Sequence, residues 1–176
     1  TLELRFTDNG ETTMSLTLAA KVTHIPRMVL SELPGPLHGC RQDAIDGLKQ
    51  IGDRILQAGV DTVVILDTHW LSNAAYHVNA HGSFQGVFQS TEFPTQIESL
   101  EFDHAGNTEL AVMLASKATE RGVTTIAHRS KLLPLEYGTL VPMHFMQLGR
   151  KVKVVSVSGW CAYSTIDESR RVGAAF

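Results

Sequence analysis

Two cysteines, Cys40 and Cys161, are all that this chain of 176 residues contains. They are too few and too far apart for a disulfide scaffold or a thiolate metal cluster, so free thiols in a reducing cytoplasm are expected. Basic clusters are also lacking. The densest, Arg150, Lys151 and Lys153, reads as solvated surface, and the net charge is −3. Nucleic acid therefore finds no electrostatic footprint here. No apolar run approaches the roughly 18 residues of a membrane-spanning helix. The first 13 residues are polar and lack the apolar stretch of a secretory signal. Met14 offers a natural start, which sets residues 1–14 apart as an N-terminal extension. There is no G-x-S-x-G nucleophile elbow, phosphate-binding P-loop or G-x-G-x-x-G fingerprint.

What is present is an ordinary globular composition, 43% hydrophobic and 19% charged, with length for one domain and a real core. Residues 16–23 (LTLAAKVT) have strand-forming composition, and a Pro- and Gly-rich loop, LSELPGPLHG, follows. Ala44, Ile45, Leu48, Ile51, Ile55 and Leu56 recur at helical spacing within 40–58, and Gly59 stops that helix. Residues 61–67 (DTVVILD) read as a buried strand, which predicts a βαβ unit with parallel neighbours. Shorter strands are expected at 74–80 and 83–90, paired as an excursion or hairpin. A helix from Asn107, as N-cap, to about Arg121 follows. Core strands are expected at 123–127 and 152–157, with Pro142 opening a short helix between them. Ser164 or Thr165 caps a last helix. The pattern predicts an α/β fold, with a parallel or mixed central sheet flanked by helices.

His24 and His69 each sit where a predicted strand runs out into a loop. In open α/β sheets that edge is where ligands bind, and imidazole is a common ligand for iron, zinc, copper and nickel. The plain alternative is a pair of loop histidines bonded to backbone. Of the other six histidines, His77 lies within a strand, and His81 and His104 fall in polar, turn-like sequence and are expected to be exposed. His38 and His128 lie where they could approach the same edge, and His144 reads as a satisfied core residue. Glu32, Asp67, Glu92 and Glu136 are the carboxylates in apolar or loop contexts, none with the pattern of a third ligand.

The segments KVTHIPRM, LSELPGPLHGCRQDAIDG, GVDTVVILDTHW, NAAYHVN and LPLEYGTLVPM resemble the class III extradiol ring-cleavage dioxygenases, above all their homoprotocatechuate-cleaving members. The resemblance runs from about Ser15 to Phe176 and makes 15–176 the N-terminal part of a catalytic domain. It implies a non-haem Fe(II) site of the two-histidine, one-carboxylate type, with Mn(II) or another divalent ion as substitute. His24 and His69 match the histidine ligands. The family's glutamate ligand and its acid–base histidine belong to a C-terminal portion that the chain is expected to lack.

Where many relatives carry Asp-His-Gly, this chain has Glu136-Tyr137-Gly138, so no catalytic histidine carries over there. Tyr137 and His128 are left as acid–base candidates. The implied reaction joins O₂ to a catechol bearing an acidic side chain and gives a muconic semialdehyde. Arg27, Arg41 and Arg129 could meet that acid, and none is assigned. The full-length protein is expected to be a homo-oligomer, and this chain alone to have little activity. Two other readings stand beside this one: a non-catalytic structural subunit of such an assembly, and a metal-dependent hydrolase or phosphorylase-like protein.

Overall fold

The computed structural model describes residues 15–159 and 164–176. The proposed N-terminal extension, Cys161 and Trp160 lie outside the described residues. The elements run α1 (Arg27–Glu32), α2 (Gln42–Gln57), β1 (Thr62–Asp67), β2 (Tyr76–Asn79), β3 (Ser83–Phe88), β4 (Leu100–Ala105), α3 (Thr108–Glu120), β5 (Thr125–His128), α4 (Tyr137–Met146), β6 (Lys153–Ser158) and α5 (Ile166–Ala175). Four strands make a mixed sheet in the order β1-β6-β2-β5, while β3 and β4 form a separate antiparallel pair. β1 runs parallel to β6 and β2 parallel to β5, and the two halves meet antiparallel where Val78 pairs with Val157. This is the expected α/β class, with the mixed rather than the all-parallel sheet.

Helices cover both faces of the sheet because β6 is buried on both. Val155 and Val157 pack with Val78 and with Ala111, Leu114 and Ala115 of α3. Val154, pointing the other way, joins Met28 of α1, Ile45 and Leu48 of α2, and Leu140 and Phe145 of α4. Strand residues alternate between faces, so one strand seals two cores. α3 starts where Asn107 accepts a hydrogen bond from the Leu110 N–H, and α5 starts at Thr165, which accepts from Glu168. No helix among the described residues is long and apolar enough to cross a membrane.

Several expectations are corrected. Residues 16–23 form no strand: Leu16 and Leu18 are 58% and 36% exposed, and no described segment offers them a ladder. Strand-like composition without a neighbouring edge leaves extended chain, and the βαβ unit that began with it is not formed. The loop expected at LSELPGPLHG starts later, because Leu30, Ser31 and Glu32 complete α1. β2 and β3 do not pair with each other. The partner of β3 is β4, which sequence reading passed over because LEFDHA interleaves charged and apolar residues. Pro142 lies inside α4 rather than at its start. Lacking an N–H, Pro142 leaves the Gly138 carbonyl without its intrahelical donor.

Candidate metal centre

His24 enters the site at the mouth of a helix. Val22 and Ile25 on either side pack against the main core, and the carbonyls of Ile25 and Pro26 accept from Met28 and Val29. The wholly buried Met28 anchors this turn, so the half-buried imidazole has a fixed base. Burial lowers the His24 pKa, the facing His69 lowers it further, and Asp67 partly offsets both. The ring is therefore neutral near pH 7, the form that binds metal.

His69 is set by the end of β1. The buried Asp67 turns its carboxylate back along the chain, where Oδ1 accepts from the backbone N–H of His69 at 2.8 Å and of Trp70 at 3.2 Å. This local turn reverses the backbone and aims the His69 side chain outward. Oδ2 accepts from the Thr139 hydroxyl at 2.7 Å, and Thr139 also meets the Ser156 hydroxyl at 2.8 Å. A Cβ on Gly138 would collide with the Asp67 carboxylate, which explains why a glycine stands there. Tyr137, Gly138 and Thr139 thus bind the start of α4 to the end of β1.

The His24 and His69 ring centres lie 4.9 Å apart at an interplanar angle of 67°. Two imidazoles holding one ion at adjacent positions, through bonds of about 2.1 Å, keep their centres roughly 4.6 Å apart. The spacing of the pair is compatible with one shared divalent ion, and imidazole is a donor that suits iron. The Tyr137 ring lies 4.2 Å from His69 and 6.0 Å from His24. Its hydroxyl is 2.5 Å from Nδ1 and 2.9 Å from Nε2 of His69, and donates to Glu92 Oε2 at 3.2 Å. Burial, and then the Glu92 carboxylate, push the phenol pKa well up. Tyr137 is a neutral hydrogen-bond donor, not a phenolate.

Glu92 comes from the loop between β3 and β4. Ser90 N–H bonds the Ile97 carbonyl, and the Ser90 hydroxyl accepts from Phe93 N–H. With Ile97 fully buried, this loop is pinned and brings Glu92 Oε2 to 3.6 Å from His69 Nδ1. The Phe88 and Phe93 rings flank Tyr137 at 6.3 and 6.1 Å. Burial, Asp67 and Glu92 raise the Glu136 pKa, and its side chain caps nothing in α4. No group of three metal-binding side chains converges among the described residues.

His24, His69 and Tyr137 meet, and His128 does not join them. It stacks against His77 instead, ring centres 4.9 Å apart. His104, expected to be exposed, is 5% exposed in β4, with Nδ1 bonded to the Gly149 carbonyl. Leaving β4 unread hid that burial. His144 is no core residue: it pairs with Glu32 at 2.9 Å on a half-exposed surface. His38 is exposed and bonds the Leu33 carbonyl. Arg27, Arg41 and Arg129 are exposed. Asp67 and Glu92 were legible as carboxylates in the right contexts, but their role in orienting His69 and Tyr137 depends on long-range packing.

Comparison with known proteins matches residues 18–176 to the family described as the catalytic LigB subunit of aromatic ring-opening dioxygenase. A relative from Escherichia coli, 3,4-dihydroxyphenylacetate 2,3-dioxygenase, is 48% identical over 158 residues, which cover 90% of this chain and 57% of the relative. The chain thus spans a little over half of that relative's length.

Proposed function

The chain belongs to the LigB family of aromatic ring-opening dioxygenase catalytic subunits, and from that premise we propose that it builds the two-histidine part of an iron centre for extradiol catechol cleavage. The convergence of His24 and His69 beside a protonated Tyr137 carries this reading. A bound Fe(II), or Mn(II) in its place, would supply a redox-active ion with positions open to both catechol oxygens and O₂. The chain's own residues do the rest. The imidazoles of His24 and His69 hold the ion, and Asp67 fixes the direction from which His69 reaches it. Tyr137 Oη keeps its proton and offers it as a hydrogen bond to an oxygen arriving beside His69. Glu92 accepts that same proton when no substrate is there, and so keeps the hydroxyl turned to the site. Phe88 and Phe93 give the ring of Tyr137 an apolar wall.

The substrate we propose is a catechol with an acidic side chain, of the 3,4-dihydroxyphenylacetate type, in line with the name of the Escherichia coli relative. Residues 15–176 then act as part of a catalytic domain, in a cytoplasmic homo-oligomer. The competing reading, a structural subunit without catalysis, draws on the lack of three converging ligands among the described residues. The approach of both imidazoles to one another, with the bonded Asp67–Thr139–Ser156 network behind His69, favours the metal reading.

The test is anaerobic reconstitution with Fe(II) followed by titration with 3,4-dihydroxyphenylacetate. A catecholate–iron absorption band that disappears in His69→Ala is expected, with little yellow semialdehyde formed in air by this chain alone. Absence of the band in the unmutated chain would favour the structural subunit, and sustained product would contradict the expected need for further ligands.

A further inference from the structure

A second imidazole pair lies on the sheet itself. β2 and β5 run parallel with Asn79 beside His128 and His77 beside Ile126, so all four side chains project from the same face. His77 Nδ1 and His128 Nε2 approach to 2.6 Å. Both backbones are pinned: His77 N–H donates to the buried Ser158 hydroxyl at 2.8 Å, and the His128 carbonyl accepts from Ala80 N–H at 2.7 Å. Trp70 stands over the pair, its ring centre 6.1 Å from His77 and 6.5 Å from His128. Both histidines are partly open to solvent, so an ion can reach them.

From this placement we propose that His77 and His128 form a second cation site, separate from the His24–His69 centre, which takes a borderline divalent ion of the Zn(II), Cu(II) or Ni(II) class. Nitrogens that converge this closely from fixed strands must share something between them. Without metal they share one proton, a hydrogen bond from one neutral ring to the lone pair of the other. With each ring protonated on its far nitrogen, both lone pairs face inward. Adjacent ligands with bonds of about 2.1 Å sit roughly 3.0 Å apart at a right angle and roughly 3.4 Å apart in a tetrahedron, so an ion enters when the rings part by about 0.4–0.8 Å. No carboxylate or thiolate joins the pair among the described residues. The site is therefore a two-imidazole one completed by water, a donor set that favours borderline ions over magnesium or calcium. Burial, and then His128, hold the His77 pKa down, which keeps its ring available at neutral pH.

Trp70 supplies the reporter. In a His24→Ala, His69→Ala background, with Trp160→Phe removing the other tryptophan, added NiCl₂ is expected to quench Trp70 fluorescence saturably, at one ion per chain. Adding His77→Asn or His128→Asn should weaken that binding at least about tenfold, with the far-ultraviolet spectrum unchanged. Quenching that is unaffected by both substitutions, or absent from the start, overturns the site. Should the variants not fold, the unmutated chain answers the same question. Ni(II) is expected to protect His77 and His128 from diethyl pyrocarbonate, read by peptide mass, and equal modification with and without Ni(II) contradicts the proposal.

Discussion

Both histidine pairs hold their ring centres 4.9 Å apart, yet they are built by opposite means. His77 and His128 stand on paired strands, where the register places them diagonally on one face. His24 and His69 come from a helix entrance and a strand exit, 45 residues apart in sequence, and side-chain bonds must place them. That difference decides the chemistry. Among the described residues no carboxylate joins the strand pair, whereas the loop pair has Asp67 beneath His69, Glu92 at its side and the Tyr137 phenol against His69. Among the described residues, charge to balance a bound cation and a proton to offer an oxygen are found at the loop pair.

Removing the support of the loop pair should have the largest effect. Asp67→Ala strands the part-buried N–H groups of His69 and Trp70 and leaves the Thr139 hydroxyl with Ser156 alone, a loss on the order of 3 kcal/mol together. Urea denaturation should show that loss and Fe(II) titration a parallel one, while Ni(II) quenching of Trp70 by the strand pair persists if the fold holds. Gly138→Ala attacks the same contact from the other side. A methyl there displaces the Asp67 carboxylate, and a destabilisation of about 1–3 kcal/mol is expected by thermal melting. No change would show that the close approach matters less than the hydrogen bonds.

Tyr137→Phe keeps the buried ring and deletes only the donor. It should leave the melting temperature nearly unchanged and weaken Fe(II) binding by about tenfold, since partners that orient a ligand carry effects of that size. A variant as tight as the parent would remove Tyr137 from the account of the site.

The smallest effect concerns acid. The His77 pKa is held below 6.5 by burial and by His128, so an unfolded chain takes up this proton before the folded one. The stabilisation is complete above pH 6.5 and is lost as pH falls towards the folded value. Buried His104, lowered mainly by burial, adds a loss of the same sign. In His128→Gln the His104 part remains and the His77 part shrinks. The urea midpoint should therefore fall less between neutral and mildly acid pH than in the parent chain. An unchanged slope would mean that the strand pair is not coupled.

Elements whose signals are local were legible from sequence. The apolar spacing of α2, the Asn107 cap of α3, the Thr165 cap of α5 and the position of β1 all appear close to where periodicity and capping place them. The burial expected of β1 is not met: it lies at the sheet edge, with Val64 and Leu66 38% and 55% exposed. What could not be read locally was partnership. Residues 16–23 have strand chemistry and no ladder partner among the described residues, while β4 has poor strand chemistry and a full partner in β3. The site follows the same division. His24 and His69 do come together, but His24 arrives by way of α1 rather than from a strand end. His128, grouped by sequence with the candidate site, was claimed by His77 through register. Glu92 could not be placed because its position depends on a loop closed by Ser90 and Ile97.

The central claim, that the loop pair and not merely its surroundings binds the metal, is tested most directly by the stoichiometry of anaerobic Fe(II) binding in the parent chain, His24→Ala and His69→Ala. One ion per chain bound at the loop pair, with affinity reduced at least about a hundredfold by either substitution, is the expected result. Fe(II) binding unchanged in both variants would contradict the account.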